Sequence, residues 1–508
     1  MEMYPNIDTS QLSLQSRLFG HRMKSNQTKY EYLLEFLLVA LSPKSVGKSD
    51  NVLDIVDDLF PIDIEIKEKN ITYYPEVRMG LKRFIFFQKG KLDGKAEIDR
   101  KAYEDGKIAL KSSFADGKSY QQDKAVLLLQ HLLGGFSATG ENRSWFDQCL
   151  VPICPEVIFP ESMGPLKLRA PEQKNDSAKH PKEVDVDHDF DFTQHTYFCR
   201  GGEIYYLHVL HALQEQPQEK TELEGLIRGL LHSYPDFSHL CNHIQKTWEG
   251  QRDTDGKAPQ KKAPSLTLGG IPDSFASRDA HTLEELKNLL SSNCHPFEQM
   301  ELLANGLILQ MLRMLYNAAA TPEDHNFWVI DVDPGKTEHQ EMKKFARAAY
   351  QKNQHLLVNY LHKGYDIHQN ELDPKKEEKS LIKDAESDSV TLFRKLGKEI
   401  GLIIPIKGAD MRFTLSEGLI KFLVLTLIPP NEMITLDLFL AQLHSHFAMV
   451  IGPEEYRKEV GNKMTERSLL ENNKKAFAQK MKDCGFLRDL SDATAIVENP
   501  YGKKEACL

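Results

Sequence analysis

The sequence predicts a mainly α-helical, α+β multidomain protein with a minority of β-structure. Three observations predict it. The longest apolar segments repeat at three- and four-residue steps, the helical period, whereas only three short stretches alternate or cluster as strands do. At 508 residues the chain is longer than one hydrophobic core usually organises. Three polar stretches of mixed charge, residues 170–189, 250–270 and 370–389, interrupt the patterned segments and have the composition of linkers or long surface loops. They divide the expected organisation into a mixed helical and β domain over 1–169, a helical segment over 190–250, a helical domain over 271–369 and a C-terminal region over 390–508. The third stretch is the least linker-like, because its Lys and Glu content suits a solvated helix.

The elements follow in chain order. In KYEYLLEFLLVAL, Tyr32, Leu33, Phe36, Leu37 and Leu41 share one broad face, and the pattern ends before Ser42 and Pro43, as a buried helix would. Strand-like runs come next, at residues 60–74 (FPIDIEIKEKNITYY) and 82–88 (KRFIFFQ). KAVLLLQHLLGG stops at Gly134 and Gly135, and IYYLHVLHAL starts after Gly201 and Gly202; both read as core helices. Residues 298–319 form the longest periodic segment and predict a central helix. FWVIDVD, residues 327–333, is the last strand signal before the C-terminal region. No fixed internal repeat occurs, which argues against a solenoid or propeller.

Composition narrows the function classes. A formal net charge of −10 argues against coating nucleic acid by bulk electrostatics, so any such contact must be local. Seven scattered cysteines make no disulfide framework and fit a reducing compartment, with the cytoplasm expected. No signal-peptide pattern, lipidation box or apolar run of spanning length predicts a membrane association. Neither a P-loop, nor a nucleophile elbow, nor a zincin motif occurs. The sequence therefore marks no catalytic residue and implies no cofactor. Cys149, Cys154, Cys199, Cys241, His243, Cys294 and His295 lack metal-ligand spacing, and no metal site is predicted. The acidic groups at Asp185, Asp187, His188, Asp189 and Asp191, and at Asp331, Asp333 and Glu338, have no calcium-loop pattern and read as solvated loops. His208 and His211 read as helix-surface or core residues. One enzyme alternative stands: Glu65-Ile66-Lys67 in a strand-like run, with Asp54, Asp57 and Asp58 upstream, resembles the metal-dependent nuclease core of the restriction-endonuclease superfamily. Alternating charges on an exposed strand produce the same triplet without function.

From Thr414 the character of the chain changes. Thr414 or Ser416 can cap a helix that Pro429 and Pro430 stop, and Thr435 opens a second helix, LDLFLAQLHSHF. RSLLENNKKAFAQKMKDCGF offers a third helix, ended by Gly485, and two extended runs around Ser491, Asp492 and Ala493 have the form of a hairpin. Three helices followed by a hairpin resemble a winged-helix module over residues 413–501. Residues 463–482 carry six Lys and Arg against two Glu. In a winged-helix reading, Lys474, Lys475 and Lys480 contact phosphates, Asn472, Asn473 or Gln479 reach base edges, Arg488 sits at the wing, and Lys482 is a further candidate for DNA contact. Solvated surface lysines and a protein-contacting module are the other readings.

The runs FRKLGKEIGLIIPIKG, FTLSEGLIKFLVLTLIPP and LSDATAIVENPYG, in the last third of the chain, resemble accessory subunits of bacterial anti-phage defence systems linked to DNA modification. That resemblance implies a non-catalytic DNA- or protein-binding subunit of a multiprotein complex, with protein partners and double-stranded DNA as the candidate ligand. The alternatives are the nuclease above and a purely structural adaptor between proteins.

Overall fold

The computed structural model describes residues 3–4, 13–20, 23, 27–46, 55–62, 70–87, 97–114, 119–139, 143–162, 192, 197–198, 200–253, 264–321, 324, 326–333, 340–461, 466–491 and 494–504. The protein is mainly helical with small sheets.

After the short α1 (Leu14–Phe19), α2 (Lys29–Leu41) starts at a capping box in which the Glu31 carboxylate accepts from the Thr28 backbone N–H at 2.7 Å. It ends at Ser42, whose extended backbone is what the following proline requires. Nearly all of its side chains are buried, beyond the single face the spacing predicts, so it lies inside the molecule. Next come α3 (Met79–Phe86), α4 (Glu97–Ser113) and α5 (Ser119–Gly134). Helix α3 corrects the strand expected over 82–88. A short apolar run suits either element, and here Lys82 through Phe86 are all buried, so no solvent face exists to give a sheet its alternation.

Helix α6 (Gly201–Glu215) packs directly on α2, because a Cβ at Gly202 would lie 2.4 Å from the Tyr32 carbonyl oxygen. Then follow α7 (Lys220–Leu231), α8 (Pro235–Asp253), α9 (Asp279–Ser291) and α10 (Pro296–Ala319). As its period predicts, α10 is the central helix, buried along almost its whole length. Short strands border this body. β1 (Met3–Tyr4) pairs with β6 (Ile271–Pro272), while β2 (Lys44–Val46), β3 (Ile55–Val56), β4 (Ile71–Tyr73) and β5 (Leu266–Thr267) form an antiparallel sheet in the order β3-β2-β4-β5. Of the run 60–74, only β4 is strand among the described residues, and Glu65 and Lys67 lie outside them.

The 370–389 stretch is structured. It links α11 (Gln340–His368) through α12 (Glu378–Glu386) and a π-helical turn to α13 (Leu392–Glu399). Leu381, Ile382 and Ala385 of α12 are buried, and the Gln15 amide of α1 donates to the Asp384 carbonyl at 2.9 Å.

In the C-terminal region Ser416 caps α14 (Glu417–Leu427) by accepting from Leu419 N–H. Thr414 turns inward instead and donates to the Asp331 carbonyl at 2.7 Å. β10 (Met433–Thr435) leads into α15 (Leu436–Phe447), capped by Thr435. β11 (Met449–Val450) runs parallel to β7 (Trp328–Val329), while β8 (Ile403–Ile404) pairs antiparallel with β9 (Arg412–Phe413). After α16 (Pro453–Val460) comes α17 (Arg467–Asp483), then the hairpin β12 (Leu487–Ser491) and β13 (Thr494–Glu498), which add to β10 in the order β10-β13-β12. One hydrophobic cluster runs from Tyr4 to Val497 through α2, α6, α9, α10, α14, α15 and α17, and a smaller one joins α3, α5 and α8. Among the described residues no helix is long and apolar enough to cross a membrane.

Candidate nucleic-acid interface

Helix α17 carries most of the predicted contact residues, and its two faces have different tasks. Leu470, Phe477 and Met481 are buried. So is Asn473, whose amide donates to the Ile330 and Ile451 carbonyls at 2.9 Å each and whose oxygen accepts from Val332 N–H at 3.2 Å. A residue that the sequence allows at a base edge is thus a bracket for the chain beyond β7 and β11. The opposite face exposes Ser468, Asn472, Lys475, Gln479 and Lys482, a polar stripe at three- and four-residue steps.

Most of the predicted cations already have partners within the molecule. Lys474 meets Asp437, in the first turn of α15, at 2.6 Å. Half-buried Lys480 turns back to donate to the Leu415 carbonyl at 2.6 Å. Lys482 pairs with Asp489 of the hairpin at 2.5 Å, Gln479 donates to Asp483 at 2.8 Å, and Arg488 reaches across the hairpin to Glu498. Lys475 is exposed and has no ion pair among the described residues. Residues 413–501 contain ten Lys and Arg against twelve Asp and Glu, so the local excess on α17 is cancelled within its own module. Exposed pairs of this kind are worth about 0–1 kcal/mol each and exchange readily for other anions.

Register places apolar groups beside this surface. Thr435, Ile496 and Arg488 form one row across the sheet. Strand β10 therefore runs toward the hairpin turn before the chain enters α15, where Leu438 is 49% exposed, while Leu490, beside that turn in β12, is 67% exposed. Met433, exposed as well, lies at the other end. The sequence does not mark these three, because a single exposed apolar residue carries no signal of its own.

Other reactive groups are internal. The Glu31 carboxylate meets Arg143 at 2.9 Å, and burial pushes it up to about 7 despite that partner. Burial likewise raises Asp147 to about 6 and lowers Lys82 to about 8. Arg143 lies 3.5 Å over the Tyr197 ring, and Glu161 accepts from the Tyr197 N–H at 2.8 Å. Glu31, Lys82 and Glu161 are at most 3% exposed, which makes this an interior network. A cavity of about 10 Å3 lies between Gly80, Phe84, Tyr103, Gly106, Leu110, Ile244 and Trp248, with room for no more than about one water.

The remaining sequence candidates have distinct fates. Asp54, Glu65 and Lys67 lie outside the described residues, as do residues 185–191, Cys199 and Glu338; Asp58 pairs with Lys220 at 2.8 Å. Cys149, Cys154, Cys241 and Cys294 are buried free thiols. Asp331 is held by Arg412 at 2.6 Å. His208 and His211 both meet the Asp279 carboxylate, at 3.0 and 2.5 Å. Among the described residues, His281, Glu284 and His446 form a group able to hold a metal ion. The sequence shows only a His and a Glu one helical turn apart; its third member lies far along the chain. Compared with known proteins, the chain matches no family model, no curated protein and no solved structure.

Proposed function

We propose that residues 413–501 are a winged-helix module and that the chain is a non-catalytic subunit of a multiprotein complex, of the kind used in bacterial anti-phage defence, docking a protein partner through this module. The order α14, β10, α15, β11, α16, α17 and hairpin, which holds one short helix, α16, beyond the three that the sequence predicts, and the strand order β10-β13-β12 support the module. One observation carries the protein reading: the module's cations are largely neutralised by its own acids, while Leu438 and Leu490 are both exposed apolar side chains.

A second reading has its own support. The exposed stripe of α17 has the residue types of a duplex-reading helix, with Lys475 and Lys482 for phosphate and Asn472 and Gln479 for base edges. Of the predicted contact residues Lys475 is without an ion pair among the described residues; Lys482 and Gln479, like Lys474, Lys480 and Arg488, would reach DNA only by leaving their present partners. Two double variants of the full chain separate the readings. Leu438→Asp with Leu490→Asp should release the partner from the purified native complex, while Lys475→Glu with Lys482→Glu should leave the complex intact and duplex binding negligible in both forms. Tight, salt-dependent duplex binding by the wild type, lost only in the lysine variant, would replace the first reading with the second.

A further inference from the structure

We propose that His281, Glu284 and His446 form a binding site for a divalent transition-metal ion of the zinc class, joining the first turns of α9 to the last turn of α15. The donor set comes from two helices far apart in sequence. His281 and Glu284 sit one turn apart on α9, so they share a face. His446 lies in the last turn of α15, and its ring centroid lies 4.0 Å from that of His281. The His446 Nε2 is 4.0 Å from the Glu284 carboxylate, and the ligand atoms of all three residues lie within 4.8 Å of one another. Two ligands on one zinc ion stand at most about 4 Å apart, so closure requires side-chain shifts of about an ångström.

The surroundings are arranged as an outer shell. The His446 side chain is only 10% exposed, and its Nδ1 is buried with no hydrogen-bond partner. That nitrogen faces the buried Glu285 carboxylate at 3.6 Å. Glu285 in turn accepts from Arg278 at 3.3 Å and from the Gln310 amide of α10, while Arg278 also donates to the His446 backbone carbonyl. A carboxylate behind the distal nitrogen of a ligating histidine fixes ring and tautomer, leaving Nε2 for the ion. Glu284 is 53% exposed, giving the ion a path from solvent and leaving a coordination position to water. Two imidazoles and a carboxylate favour zinc-like ions over calcium or magnesium, which take mainly oxygen ligands.

The site brings a consequence for the subunit as a whole. Helix α15 is the second helix of the C-terminal module and α9 belongs to the body, so an ion here would fasten one to the other. The test is calorimetric titration of zinc chloride into chelator-stripped, full-length protein under reducing conditions, with thermal melts in parallel. One equivalent should bind and raise the melting temperature. Glu284→Gln, on a half-exposed side chain that folding does not require, should weaken that equivalent by about tenfold or more, and His281→Ala should abolish it. Calcium should not compete. The proposal is overturned if stripped wild type takes up no stoichiometric zinc, or if both variants keep the wild-type stoichiometry and affinity. Circular dichroism of the variants, together with a chelator-free melt, separates loss of ligation from loss of fold.

Discussion

Single residues in this protein are governed by burial. Asn473 satisfies three backbone groups in the interior, so Asn473→Ala should destabilise the chain by about 2–4 kcal/mol in urea denaturation. A silent substitution would mean that water takes over those bonds. Glu31 provides a pH test. Its folded value of about 7 stands above the ordinary 4.5, so its contribution is fullest below about pH 4.5 and is lost as pH rises through 7. Glu31→Gln keeps the capping geometry without the charge. Its stability relative to wild type should therefore improve between pH 5 and pH 8, by up to about 3 kcal/mol. A pH-independent difference would show that the carboxylate stays solvated. Neither property is legible in sequence, because Asn473 and Glu31 look like ordinary polar helix residues until distant segments cover them.

At the scale of elements, the helix ends are legible in local sequence. Ser416 and Thr435 cap α14 and α15, and Gly485, at φ 79°, lies just beyond α17, because these signals involve only neighbours in the chain. Thr435→Ala should cost about 1 kcal/mol in thermal or urea unfolding. Residues 82–88 have the pattern of a strand yet include most of α3, because a seven-residue apolar run has no period long enough to decide between strand and helix. The pairing of β7 with β11, and the meeting of His281 with His446, depend on contacts between distant segments and left no local trace. Helix contacts are equally specific. A Cβ on Gly306 of α10 would lie 2.3 Å from the Phe422 ring of α14, so Gly306→Ala should destabilise by about 1–2 kcal/mol despite its better helix propensity. Adding Phe422→Leu should recover part of that loss if steric conflict is the cause.

The whole molecule is tied together by its central helix. Phe422 of α14 sits against α10, the Asn288 amide of α9 donates to the Thr426 carbonyl, and Trp328 stacks on Phe413 at 5.0 Å. The C-terminal module thus shares its apolar base with the body. A fragment of residues 413–508 should melt at a lower temperature than the module within the full chain, as followed by circular dichroism; equal melting temperatures would make the module self-sufficient. The acidic total of the chain does not describe the polar stripe on α17. The most direct measurement is hydrogen exchange of the full chain, alone and in its native complex. Protein docking by the C-terminal module should slow exchange in the first turn of α15 and in β12 and β13, with the body unchanged; protection confined to the body would overturn it.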